Sequence, residues 1–220
     1  MAEHLTDEEQ LEQLKTWWKE NGRSIVMAVL IGVIAYFGWQ WWQQKEQQQA
    51  EQASVLYTEL LEVLPRTNNE PLTEDKQTTA NYLIQQLQDD FPKTQYAANA
   101  VLFSAKLAMD KNDLAGAEES LLWVSQNAQE SLKVLANLRL ARVYLAQEKY
   151  DQGLALVNGS QPDSFVSLYA EVRGDILVAK QDIAAARKAY QQAIDSLGEQ
   201  TQGFRRQLLP IKLANLPVGE

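Results

Sequence analysis

Two pairs of adjacent carboxylates are the residues in this sequence best suited to acid–base chemistry: Asp89–Asp90 and Glu118–Glu119. Two neighbouring carboxyl groups can divide the roles of general acid and general base, because their interaction separates their pKa values. Asp89–Asp90, however, stands just before Pro92 at a predicted helix end, and Glu118–Glu119 lies on the predicted outer face of another helix. Both pairs are therefore predicted to be solvated, and a hydrolase acting through Asp89 and Asp90 is the weakest functional hypothesis.

Other catalytic schemes lack the residues they need. The chain has no cysteine, which excludes thiol nucleophiles and thiolate zinc sites, and its one histidine is His4, in the N-terminal tail. Histidine-dependent triads, zinc–histidine sites and histidine general bases are thus excluded from the rest of the chain. The glycine-rich phosphate-binding motifs are missing as well. We expect a protein that is not an enzyme and that has no catalytic, metal or cofactor site.

One apolar segment, residues 24–44, organises the rest of the chain. No charged residue interrupts it between Arg23 and Lys45. As a helix with a rise of about 1.5 Å per residue it would span roughly 30 Å, the thickness of a bilayer's hydrocarbon core. Five of the six tryptophans lie in or near it, as is typical of side chains at the headgroup level. Because bulky aromatic residues follow where a signal peptidase needs small ones, we predict an uncleaved transmembrane helix in a lipid bilayer.

Basic residues are unevenly distributed around this segment. Lys15, Lys19 and Arg23 precede it, whereas only Lys45 falls within the twenty residues that follow. The positive-inside rule then places the N terminus in the cytoplasm and residues 45–220 in the periplasm, as in a single-pass protein of a bacterial inner membrane.

The formal net charge of −9 argues against nucleic acid as a partner.

Two features near the predicted span could contact other proteins. Thr6 and Glu9 form a capping box and Asn21–Gly22 is a stop signal, so residues 7–20 are predicted to form a short amphipathic helix. That helix could rest on the inner leaflet or dock a cytoplasmic partner. Small residues recur on one face of the span, where another membrane helix could approach closely. This stripe consists of Ala28, Gly32 and Ala35.

Helical periodicity continues beyond the span. Residues 40–52 are rich in glutamine and contain neither glycine nor proline, so the helix should run on. Two further segments with one apolar helical face are ended by Pro65 and Pro92, with a predicted loop at 66–73 between them.

From residue 94 onward the sequence repeats with a period near 34 residues, which is typical of tetratricopeptide repeats, pairs of antiparallel helices with small residues at their crossing. The best copy has Gly174, Leu177, Ile183, Ala186, Tyr190 and Ala193; a second has Ala141, Tyr144, Tyr150, Gly153, Val157 and Ser160; the third has Ala105, Ala108, Leu114, Ala117, Leu121 and Val124. A generic bundle of helical hairpins is the weaker alternative.

These patterns together predict an all-α protein, with one N-terminal transmembrane helix followed by a TPR-like α-solenoid. The predicted divisions are a cytoplasmic tail (1–23), the transmembrane helix (24–44), connector and pre-repeat helices (45–93), three repeats (94–198) and a C-terminal capping segment (199–220).

The first helix of each repeat is expected to line a concave groove. The repeat register assigns to it Asn99, Leu102, Lys106, Met109, Leu135, Leu138, Arg142, Leu145, Leu168, Glu171, Asp175 and Val178. Seven of these twelve residues are apolar, which suits an unfolded client chain or a partner's helix better than a terminal carboxylate. Alternatively, the chain's own residues 53–64 or 204–216 fill the groove.

The chain resembles the bacterial inner-membrane YfgM-like family, ancillary subunits of the SecYEG translocon. The resemblance rests on the order of tail, span and repeats and on short strings at residues 20–22, 38–39, 138–143 and 173–175. It implies periplasmic repeats beside the translocon and a second partner, the PpiD-type membrane-anchored chaperone. It further implies a role in passing translocated proteins to periplasmic chaperones.

Two other functions stay open at this point. One is a regulatory protein whose cytoplasmic tail, residues 1–23, sequesters a stress-response signalling protein. The other is an assembly scaffold for a different envelope complex, which would share all the physical properties of a translocon scaffold.

Overall fold

The computed structural model describes residues 7–65, 72–159, 161–198 and 204–217. Within these ranges the chain forms nine α-helices and no strand: α1 (Asp7–Val63), α2 (Glu74–Asp90), α3 (Gln95–Asp110), α4 (Leu114–Asn127), α5 (Glu130–Ala146), α6 (Tyr150–Val157), α7 (Asp163–Ala179), α8 (Ile183–Asp195) and α9 (Phe204–Ala214). The all-α prediction is confirmed. The chain divides into two compact units, Met1–Glu51 and Gln52–Glu220.

The first unit contains the apolar part of α1. This helix is long and apolar enough to cross a membrane, and it is the one such helix in the described part of the chain. Its large apolar side chains between Val26 and Trp42 are exposed, from 45% for Val33 to 70% for Ile34. So continuous an apolar surface is unfavourable in water and favourable against lipid, and the helix satisfies its backbone hydrogen bonds internally.

The predicted helix end at Asn21–Gly22 is wrong, because α1 continues through both residues. The Asn21 side-chain amide donates a hydrogen bond of 3.1 Å to the carbonyl of Trp17, one turn earlier. Gly22 is buried beneath the ring of Trp18. Glycine costs a helix interior only about 1 kcal/mol, and no proline interrupts α1. Thr6 of the predicted capping box lies outside the described residues.

The second unit contains three consecutive helix pairs: α3 with α4, α5 with α6, and α7 with α8. Each pair is joined by a short turn with one residue in the left-handed region, namely Asn112 (φ 58°), Glu148 (φ 61°) and Gln181 (φ 64°). In each turn the next amide donates to the carbonyl five residues earlier, as from Asp113 to Ala108 at 2.8 Å. Because the same uncommon conformation recurs at the same place in each pair, the pairs are structural repeats rather than unrelated hairpins.

Small residues lie at the helix crossings, as the repeat pattern predicts. Gly174 on α7 faces Tyr190 on α8, and a Cβ added to Gly174 would stand 2.5 Å from the tyrosine ring. At the crossing of α5 and α6, a Cβ added to Gly153 would stand 3.4 Å from the backbone carbonyl oxygen of Ala141. A larger side chain at Gly174 would push α7 and α8 apart or displace the tyrosine ring. Ser160, at the end of the second copy, lies outside the described residues.

The helices before the repeats extend the core of this unit. The end of α1 and α2 bury apolar residues in one cluster with α3, α4 and α5, among them Ala53, Leu60 and Leu87. The rings of Tyr57 on α1 and Tyr96 on α3 lie 5.6 Å apart. Both helices end just before the prolines, α1 at Val63 and α2 at Asp90. Most of the predicted loop, residues 66–71, is outside the described part.

Candidate functional site

The two acidic groove positions of the third repeat, Glu171 and Asp175, are ion-paired with the C-terminal helix. Lys212 on α9 bonds to Glu171 at 3.0 Å and to the two oxygens of Asp175 at 2.8 and 2.9 Å. Arg205, also on α9, donates to the other oxygen of Glu171 at 2.8 Å. In this repeat the chain's own residues occupy the acidic groove positions, so these carboxylates are not free to bind a partner.

The charges in this cluster are held in their ionised forms. Burial alone would raise the pKa of Glu171, which is 7% exposed, but hydrogen bonds from Lys212 and Arg205 lower it overall. Burial lowers the pKa of Lys212, while hydrogen bonds to Asp175 and Glu171 raise it overall. A general acid or base needs a pKa near the working pH, and both shifts point away from neutrality. The cluster is a structural ion-pair network.

Tyr190 completes this network. Its hydroxyl donates a hydrogen bond of 2.7 Å to Asp175, and burial, with that carboxylate, raises the pKa of the phenol. The ammonium group of Lys212 lies 5.8 Å from the centre of the Tyr190 ring, within the range of a cation–π contact. The same ring packs on Gly174, so helix packing and charge pairing share one side chain.

Most of the apolar groove positions belong to the core instead of a free surface. Leu102 and Leu138 are 7% and 2% exposed. The half-buried members of the set pack against the hydrophobic clusters; they are Leu135, Leu145, Leu168 and Val178. Met109 is 41% exposed and is the one predicted apolar groove residue open to solvent among those described. Sequence periodicity therefore overestimated the apolar area available to a partner.

A cavity between the first and second repeats collects the accessible groove positions. It has a volume of about 240 Å³ and is formed by Ala105, Lys106, Met109, Leu121, Arg139, Arg142 and Val143. We call it the repeat 1–2 pocket. Lys106, Met109 and Arg142 are predicted groove residues, whereas Arg139 is not. The spacing of Arg139 and Arg142, three residues apart and so on one helical face, is the signal that could have identified Arg139.

The two carboxylate pairs lie in different surroundings. Asp89 and Asp90 are exposed at the end of α2, as predicted. Glu118 differs from the prediction of a solvated residue, because Lys149 donates to it at 2.7 Å and that hydrogen bond is the main cause of its lowered pKa. Glu119 is exposed and lines a polar cavity of about 320 Å³ beside α2, α3 and α4. No cluster of metal-ligating side chains occurs among the residues described.

The small-residue stripe of α1 is free in this structure. Ala28, Gly32 and Ala35 are exposed, and a Cβ built on Gly32 would meet no atom within 4 Å. Contact with another membrane helix stays a prediction. Residues 53–64, the alternative groove filler, include Leu60 and Leu64, which lie in one hydrophobic cluster with Leu102 and Leu135 of the predicted groove.

Comparison with known proteins covers nearly the whole chain. A family model described as a tetratricopeptide repeat-like domain matches residues 15–218. An ancillary SecYEG translocon subunit of Haemophilus influenzae is 36% identical to this chain over 217 residues. A protein of the same name from Neisseria gonorrhoeae is 30% identical over 217 residues. Both alignments cover 98% of this chain and 100% of the relative. The Escherichia coli protein of that name is 26% identical over 219 residues, 99% of this chain and 100% of the relative. No solved structure matches. The resemblance found in the sequence and the repeat fold are confirmed.

Proposed function

Because the chain belongs to the tetratricopeptide repeat-like family, in the branch that contains the ancillary SecYEG translocon subunits, we propose that it is a membrane-anchored, non-enzymatic scaffold of that translocon. The observation that carries this proposal is similarity along the entire length, which includes the apolar helix as well as the repeats. Stacked helical repeats are built to bind protein segments, which suits such a role.

We further propose that the N terminus is cytoplasmic and that the repeats lie in the periplasm. The excess of Lys15, Lys19 and Arg23 over Lys45 supports this orientation. There the repeats would help to pass translocated proteins to periplasmic chaperones, with a PpiD-type membrane-anchored chaperone as a second partner. Client chains would meet the first two repeats, since the acidic groove positions of the third are paired with α9.

Site-specific photo-crosslinking in intact inner membranes tests the scaffold proposal. A photoreactive residue at Met109 or Arg142 probes exposed groove positions, and one at Lys188, an exposed residue of α8, is the matched control. We expect adducts with translocon subunits, the chaperone or emerging chains from the groove positions and not from the control. Equal yields from all three positions, or adducts only with an unrelated envelope complex, would count against it.

A regulatory role of the N-terminal segment is the second candidate function. The observation in its favour is an exposed apolar face near the start of α1, where Leu11, Leu14 and Trp18 are 55%, 61% and 54% exposed. Deleting residues 1–23, with a neutral leader that preserves insertion, separates the two candidates. If the scaffold proposal holds, crosslinking from Met109 persists after the deletion. A tail deletion that has the same phenotype as removal of the whole protein, while crosslinking from Met109 is unchanged, would favour regulation.

A further inference from the structure

Three cations surround the mouth of the repeat 1–2 pocket. Arg139 and Arg142 on α5 and Lys106 on α3 are all exposed. Neither arginine forms an ion pair with any carboxylate in the described part of the chain. Lys106 pairs with Asp110 on its own helix at 3.2 Å, but these side chains are 51% and 59% exposed, so this pair is weak and easily exchanged.

The base of the pocket is apolar. Ala105, Leu121 and Val143 are buried beneath it, and the more exposed Met109 stands at its edge. Its volume of about 240 Å³ is smaller than the roughly 300–1,000 Å³ of typical small-molecule sites. A site of this size suits one or two side chains of a peptide better than a separate metabolite.

The charge around the pocket is opposite to that of the chain as a whole. The net charge is −9, so three exposed cations about one cavity do not reflect a generally basic surface. In the repeat register Lys106, Arg142 and Asp175 are equivalent, each following the small residue at a helix crossing. At Asp175 the helix that follows the third repeat, α9, supplies the opposite charge through Lys212. At Arg142 no described residue does so.

We propose that the repeat 1–2 pocket binds a segment of another protein in which a bulky apolar side chain is flanked by aspartate or glutamate. The apolar side chain would enter the pocket, while the carboxylates would pair with the forked guanidinium groups of Arg139 and Arg142. This inference rests on the proposed function, because it assigns a ligand class to the accessible part of the same groove. It requires no particular partner and no membrane.

Peptide binding to the full-length protein in detergent micelles tests this inference, with fluorescence anisotropy as the measurement. Three labelled peptides of equal length differ only at their centre: Glu-Phe-Leu-Glu, Lys-Phe-Leu-Lys and Glu-Ser-Ser-Glu. We expect the first to bind at least about tenfold more tightly than the others, since charge-assisted hydrogen bonds and apolar burial both contribute. Equal binding of all three peptides, or of the two acidic ones, would overturn the proposal.

Charge reversal gives a second, independent test. The double variant Arg139→Glu/Arg142→Glu should bind the acidic apolar peptide at least about tenfold more weakly and the basic apolar peptide more tightly than the parent protein. The matched control, Lys93→Glu/Lys188→Glu, reverses two exposed cations outside the pocket and should leave both affinities within about twofold. An equal loss of affinity for the acidic apolar peptide in the control variant would refute specific recognition. So would a charge-reversed variant that does not bind the basic apolar peptide more tightly than the parent protein does.

Two further readouts keep the outcomes distinct. The comparison of peptides on the parent protein decides the question even if the charge-reversed variant fails to fold. A dimer of the parent protein that the acidic apolar peptide dissociates, measured by sedimentation in the same micelles, would assign the pocket to self-association, contrary to the proposal. Peptide selectivity without translocon crosslinks would refute the proposed function alone, whereas crosslinks without selectivity would refute this inference alone.

Discussion

Substitution of Gly174 by alanine should destabilise the repeat unit through one identified contact. The added Cβ would stand 2.5 Å from both Cδ1 and Cε1 of Tyr190, whereas carbon atoms in favourable contact are about 3.5–4.0 Å apart. The ring cannot easily move, because it is 4% exposed and its hydroxyl bonds to Asp175 at 2.7 Å. The methyl group therefore forces α7 and α8 apart or displaces the ring from its ion-pair network.

The expected magnitude combines two opposing effects. Replacing glycine by alanine inside a helix gains about 1 kcal/mol of intrinsic helix stability. Overpacking a tight contact costs about 1–3 kcal/mol, and the large overlap at Gly174 places the cost at the upper end. The free energy of unfolding should thus fall by about 2 kcal/mol. At about 2–4 °C per kcal/mol for a domain of this size, the midpoint of thermal unfolding should fall by about 4–8 °C.

A double-mutant cycle isolates the contact. Gly174→Ala is introduced into the parent protein and into Tyr190→Ala, which removes every ring atom involved. Urea denaturation of the full-length protein in detergent, followed by far-ultraviolet circular dichroism, gives each free energy of unfolding. Without the ring, Gly174→Ala should stabilise by up to about 1 kcal/mol, so its effect changes sign. Gly38→Ala, where a Cβ would meet no atom within 4 Å, is the control and should leave the solenoid midpoint unchanged.

The sign change is the decisive result. If Gly174→Ala lowers the free energy of unfolding equally in both backgrounds, the contact with Tyr190 does not explain the need for glycine. Steric overlap with the tyrosine ring would then not be the reason for a small residue at this helix crossing. An unchanged stability in the parent protein would refute that reason as well.

Three further expectations follow from the same structure. Lys212→Met should remove two ion pairs from α9 and lower stability by about 2 kcal/mol, seen as faster amide hydrogen exchange in α9. The pKa of Glu171 in the folded state lies below its ordinary value. The stabilisation by its carboxylate is therefore fully present above the ordinary pKa and is lost as the pH falls through the folded-state pKa. Glu171→Gln should flatten that part of the curve of stability against pH. Tyr169→Phe should cost about 1–2 kcal/mol in urea denaturation, because it leaves the Val134 carbonyl without the 2.6 Å hydrogen bond that the buried hydroxyl donates.

The predictions that succeeded depend on patterns within a single helix. A long uncharged apolar segment, apolar faces at helical spacing and small residues at a period near 34 are visible in one dimension, and they correctly indicated the apolar helix and the repeats. The error at Asn21–Gly22 has the same origin. A local stop signal of about 1 kcal/mol is small against the cooperative hydrogen bonding of a long helix that contains no proline.

Apart from the extent of α1, the sequence alone thus determined the order of the helices and the repeat pattern, since these follow from propensity and periodicity along the chain. Only the tertiary structure decided which side chains meet across helices. The carboxylate of Glu171 and the ammonium of Lys212 are 41 residues apart in sequence, and Leu138, assigned to the groove, is 2% exposed in the core. Helix crossing and side-chain direction determine such contacts, and both depend on how several helices pack together. For that reason the pairing of α9 with the third repeat and the grouping of Arg139 with Arg142 and Lys106 emerge from the folded chain alone.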